Sequence, residues 1–127
     1  MTTSSPLTGF AARLRAVALA YPETTEDRPW GETAIKVRGK TFVFIGNEGD
    51  APNFSVKLPL TGMQALALPF AAPTHYGMGK HGWVTITIPK RVTRAFEAQV
   101  AEWVRESYVA VAPKKVGRAL DSAIQFT

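Results

Sequence analysis

Residues 77–84 read GMGKHGWV, and the kind of element that comes after these glycines decides the fold. The stretch fits G-x-G-x-x-G-x-V, the phosphate-covering loop of protein kinases, and its first six letters fit the dinucleotide fingerprint of Rossmann domains. A Rossmann loop follows a strand and opens a helix, because the helix N-terminus holds the pyrophosphate. Here Pro69 and Pro73 precede the glycines, and Trp83 to Ile88 alternates as a strand: Val84, Ile86 and Ile88 against Trp83, Thr85 and Thr87. Glu102, near the expected acidic position, falls inside a helical pattern. The kinase pattern fails because Ala34-Ile35-Lys36 comes before the glycines and the H-R-D and D-F-G motifs are missing; a Walker loop fails at Thr74 and His81. The glycines are therefore expected to supply positive φ at a turn entering a strand. Tyr76, Lys80, His81 and Trp83 cluster beside them, a mixture that can meet phosphates and bases. The alternative for Trp83 is a core position.

Outward from that loop, residues 33–45 (TAIKVRGKTFVFI) alternate on both sides of Arg38-Gly39-Lys40, which predicts a hairpin. Ile35 and Val37 share one face, Lys36 and Arg38 the other. Phe42 and Phe44 alternate with Val43 and Ile45, so this strand is expected to be buried on more than one side. Phe54, Val56 and Leu58 begin a third strand with Ser55 and Lys57 opposite. Helices are expected from about Leu7 to Ala20, with Phe10, Leu14, Val17 and Tyr21 as its stripe and Pro22 as its stop, and from about Val92 to Val109, with Phe96, Val100, Trp103, Val104 and Tyr108 facing the core. A short helix from Leu60 to Leu68 is weakened by Gly62. Residues 22–32 and 69–82 read as loops. In the tail to Thr127, Ala119, Leu120 and Ile124 hint at a further helix. The order α–β–β–β–α–β–α gives one α+β domain over 1–127, an antiparallel sheet with helices packed on one face.

The totals narrow the function. The 127 residues suffice for one domain that buries roughly two-thirds of its unfolded surface, about half of what a kinase domain needs. Apolar content of 46% and charged content of 20% are those of a globular protein. There is no cysteine, hence no disulfide and no thiolate metal site, and His75 and His81 alone make a multi-histidine site a poor fit; no cofactor is expected. Fifteen basic residues against ten acidic give +5, which favours an anionic partner such as nucleic acid, phosphate ligands or an acidic protein surface, and charge alone does not choose among these. The opening lacks a secretory signal, and no apolar run approaches the roughly 20 residues of a membrane span, so the protein is read as cytoplasmic with no membrane partner.

Five fragments taken together resemble the MmcQ/YjbR-like family, also called double-wing DNA-binding proteins. They are PWGE at Pro29–Glu32, IKVRGKTF at Ile35–Phe42, VKLP at Val56–Pro59, YGMGKHGWV at Tyr76–Val84 and SYVAVAPKK at Ser107–Lys115. The resemblance spans about residues 10–115, leaving 116–127 as an extension. It implies a CyaY/frataxin-like α+β fold and DNA binding through two hairpin wings. By position it places Gly39 and Lys40 in the first wing's turn and Lys57 on the third strand. Lys80, His81 and Trp83 fall in the second wing, and Lys114 and Lys115 after the last helix. From the residues themselves, Lys36, Arg38 and Lys57 would form a stripe on the exposed sheet face, ending on Lys40 and Lys80; the alternative is a solvated polar face. Trp30 is expected to support the fold.

No catalytic constellation stands out, since only the two histidines are neutral-pH bases and Glu97, Glu102 and Glu106 share a helix with Arg94 and Arg105 as expected ion pairs. The other reading is a protein-interaction or weak metal-binding scaffold of frataxin-like fold. Glu23, Glu26, Asp27 and Glu32 would be its hard-cation ligands, diluted by Arg28 and opposed by the net charge.

Overall fold

The hairpin at residues 33–45 sets the frame of the computed structural model, which describes residues 9–28, 32–48, 51–74 and 77–115. Strand β2 (Thr33–Val37) turns into β3 (Lys40–Glu48) through Arg38 and Gly39 alone, with Val37 opposite Lys40. Both turn residues have positive φ, 50° and 82°. Two left-handed residues in a two-residue loop match the right-handed twist of the strands. Placing a non-glycine residue there costs roughly 1–2 kcal/mol, and the Arg38 side chain is held in place by Glu23.

Around it lie β1 (Thr24–Asp27), β4 (Ala51–Lys57), β5 (Ala71–Pro73) and β6 (Trp83–Thr87). They form one sheet in the order β1-β2-β3-β4-β6-β5, every neighbouring pair antiparallel. The helices are α1 (Gly9–Leu19), α2 (Gly62–Leu66) and α3 (Arg94–Val111). The α+β class, with an antiparallel sheet, is as expected from the sequence. Two short strands lie where loops were expected. β1 is polar throughout and β5 is three residues with a proline, so neither carries the alternation that reveals a half-buried strand.

Between Ile35↔Val43 and Lys36↔Thr41 the register slips by one residue, which leaves Phe42 as the extra residue of a bulge. Phe42, Val43 and Ile45 therefore all join the helix-side core, while Phe44 packs beside Trp83 on the other face. The bulge also ends the β3–β4 ladder at Val43↔Val56. Ser107, on α3, fills the gap. Its hydroxyl accepts the Lys57 N–H at 2.8 Å and donates to the Phe42 carbonyl at 2.5 Å, inside the core at 0% exposure.

Its neighbours in sequence also anchor the helix. Glu106 accepts the N–H groups of Leu60 (2.7 Å) and Thr61 (3.0 Å) and the Thr61 hydroxyl (2.8 Å), just ahead of α2. That carboxylate therefore serves the entry to α2, which is shorter than the expected 60–68. Tyr108 stacks on Tyr21, meets Phe42 edge-on and donates its hydroxyl to the Pro22 carbonyl at 2.7 Å.

α3 starts two residues later than expected because Thr93 is its cap, the side chain accepting the Phe96 N–H at 3.1 Å. On α1 the buried positions are Phe10, Leu14 and Ala18, at i, i+4 and i+8; Val17, expected in the stripe, is 41% exposed. Glu97 pairs with Arg13 of α1 at 2.8 and 3.1 Å and so joins two helices. Trp30 lies outside the described residues. Among the described residues, no helix is long and apolar enough to cross a membrane.

Ser107→Ala should lower stability by about 2–3 kcal/mol, since it leaves a buried N–H and a buried carbonyl unpaired. The check is urea denaturation: the midpoint falls while the m-value holds.

Candidate nucleic-acid interface

Antiparallel order brings the β2–β3 turn and the β5–β6 turn to the same end of the sheet, with the last residue of β4 between them. At this end Val37 faces Lys40, Lys57 faces Trp83, and Pro73 faces Val84. α3 arrives here too, since Ser107 bonds the backbone of Lys57, and Lys114 and Lys115 come just beyond its last turn. Lys40, Lys80, His81, Lys114 and Lys115 are exposed; Lys57 is half-buried.

The glycines of the second turn all have geometric roles. Gly77 and Gly82 have φ of 76° and 87° and bracket a 3-10 turn, Met78–His81. Gly79 sits where a Cβ would come 2.7 Å from the Cβ of Pro73. The loop leads into β6 rather than into an α-helix, so it presents no helix N-terminus to a pyrophosphate.

Lys36 and Arg38 stand differently from the other cations of this end, because each faces a carboxylate on or just ahead of the edge strand β1. Lys36 Nζ lies 3.2 Å from Asp27 Oδ2, and Arg38 Nε lies 2.6 Å from Glu23 Oε1. Glu23 and Arg38 are the non-glycine residues with positive φ among those described, 59° and 50°, and the Arg38 N–H also bonds the Glu23 carbonyl at 3.4 Å. The Arg38 hydrogen bond holds the Glu23 carboxyl below the usual carboxylate range. For Asp27 the largest lowering comes from the Arg28 backbone N–H, then from Lys36.

Glu26 takes a two-pronged bond from Arg15, 2.6 Å to each oxygen, with Arg28 at 4.0 Å. The acidic segment considered as a cation site is thus divided among separate cations. Alternation in β1 sends Glu26 and Asp27 to opposite faces. Among the described residues no three His, Cys, Asp or Glu side chains group as a metal site.

On the sheet face away from the helices, Phe44 and Trp83 lie 5.5 Å apart at 53°. The hydroxyls of Ser55 on β4, Thr85 on β6 and Thr74 just after β5 run in a row across three strands, 2.8 and 2.9 Å apart. Trp83 is only 9% exposed and acts chiefly as packing on this second face. Lys90, Arg91 and Arg94 lie past the other end of β6 and do not join the cluster. His75, Tyr76 and Arg118 lie outside the described residues. Sequence inspection missed Glu23 and Asp27 as partners of the first hairpin, because β1 carries no strand signal.

Together these features define an α+β protein whose sheet ends in a cationic, two-turned edge. The profile of the YjbR family matches residues 19–110, most of the chain, and the chain belongs to that family. It also shares its fold with a protein from Pseudomonas syringae whose crystal structure is known. The TM-score is 0.55 at 16% identity, over 76% of this chain and 96% of that one. No curated protein matches the sequence.

The Arg15 bond lowers the Glu26 carboxyl, which retains 19% side-chain exposure, so the pair stabilises the fold above the ordinary glutamate value of 4.5. That stabilisation is lost as pH falls below that value through the depressed one. Glu26→Gln should therefore lower Tm at pH 7 and leave it close to that of the parent at pH 3, as read by calorimetry.

Proposed function

We propose that this protein is a non-enzymatic DNA-binding protein that grips backbone phosphates with the two-turned end of its sheet. The observation that carries this reading is the placement of both turns at one end, with cations on and between them. In the strand order, the β2–β3 turn lies three strand spacings from the β5–β6 turn, about 14 Å at roughly 4.8 Å per strand. That is close to the roughly 12 Å width of the B-DNA major groove, so the two turns would reach opposite walls with Lys57 between them.

Lys40 on the first turn, Lys80 on the second, and Lys114 and Lys115 after α3 are the exposed cations of this end. His81 is a further donor on the second turn. Lys36 and Arg38 would contribute after exchanging a carboxylate for a phosphate. Binding through phosphates positions a protein without reading sequence, and the site offers no recognition helix.

The test is fluorescence anisotropy with mixed-sequence duplex DNA at several salt concentrations. Four phosphate contacts should give a log–log salt slope of about −3.6, from roughly 0.9 per contact. Lys40→Ala or Lys80→Ala should weaken binding and reduce the slope by about 1 each. Glu23→Gln combined with Asp27→Asn should tighten binding, because Arg38 and Lys36 then lose their internal competitors. Binding unchanged in the lysine variants would overturn the wing assignment. Absence of binding at low salt would discard DNA and favour an acidic protein surface.

A further inference from the structure

A third turn reaches the cationic end of the sheet. Just past Lys57, Leu58 and Gly62 are both buried, and the Gly62 N–H bonds the Leu58 carbonyl at 3.0 Å. Pro59 and Leu60 are left exposed at the tip. The Leu58 N–H bonds the Gly82 carbonyl at 2.8 Å, so this turn stands beside the one that carries Lys80 and His81. Glu106 of α3 accepts the N–H groups of Leu60 and Thr61, which holds the tip's backbone and sets it on the helix side of the sheet.

Leu60 is 85% exposed. Exposed leucines are common on protein surfaces, but this one sits on a fixed turn next to Lys57 and the Lys80 turn. The Glu106 charge is spread over three donors, and Glu102 lies one turn back along α3, away from this end.

An apolar side chain gains nothing from a phosphate; its gain lies in covering apolar surface. With the two hairpin turns on opposite walls of the major groove, the groove runs across the sheet toward the helices. The third tip then comes over the groove floor. The apolar groups that base edges present there are the C5-methyl groups of thymine. We propose that Leu60 packs against thymine methyls, so that the protein favours duplex DNA rich in A·T pairs. The inference rests on the DNA-binding reading above and adds to it a residue that discriminates between bases.

The test is fluorescence anisotropy with two duplexes of one A·T-rich sequence, one containing thymine and the other deoxyuridine in its place. The exchange removes the methyl groups and keeps every base-pair hydrogen bond. The parent protein should bind the thymine duplex about fourfold tighter for each methyl covered. Leu60→Ala should bind the two duplexes nearly equally. Its salt slope should match the parent's, since no counterion is involved, and its Tm should hold, since the side chain is exposed. Lys80→Ala, by contrast, should weaken binding to both duplexes and keep the preference. Equal affinity of the parent for the two duplexes, or a preference that survives Leu60→Ala, would overturn the proposal and leave lysine-dependent binding standing. Failure to bind either duplex would remove the DNA reading along with it. An apolar tip beside cations also suits an anionic lipid surface. Co-sedimentation with phosphatidylglycerol vesicles that is lost in Leu60→Ala, in a protein that does not distinguish the duplexes, would assign the tip to lipid instead.

Discussion

The fold depends on a hydroxyl group placed where the sheet interrupts its own hydrogen bonding. The bulge at Phe42 draws that ring into the helix-side core and ends the β3–β4 ladder, exposing a carbonyl and an N–H to a dry interior. An apolar helix residue at position 107 would leave both groups unpaired, at about 1–3 kcal/mol each. Serine satisfies both with one atom. Because Glu106 and Tyr108 reach in other directions from the same turn, α3 is fixed against the sheet, the α2 entry and the end of α1 at once. The cationic end is positioned by this turn, since Lys57 takes part in the Ser107 bond.

What could be read in the sequence was what repeats locally. The β2–β3 hairpin shows through two alternating runs and two residues between them, and α3 through apolar residues on one face. Phe42 could not be placed, because strict alternation assigns it to the face of Phe44 and only the pairing with β2 reveals the extra residue. Val17 and Ala18 exchange roles because α1 lies close enough to the sheet for alanine to pack at full burial. The lysines and His81 of the two turns were legible as candidates. The neutralisation of Lys36 and Arg38 was not, because Asp27 lies on an edge strand with no periodic signature and Glu23 in the turn just before it.

The distribution of charge also separates structural cations from available ones. Arg13, Arg15, Lys36 and Arg38 each face a carboxylate, tying α1 to α3, α1 to β1, and β1 to β2. A net charge of +5 therefore understates how uneven the surface is. The exposed lysines on the turns and after α3 give one end of the molecule its electrostatic character, and steering toward polyanions arises from that asymmetry more than from the total.

The borders of the sheet carry a different consequence. β5 is three residues long, Ala71 directs its N–H to the Leu68 carbonyl, and Pro73 has no N–H to offer. The opposite border, β1, is four residues long and ends in two acidic side chains. Both margins are poor templates for a neighbouring strand, so the sheet resists extension into edge-to-edge fibrils.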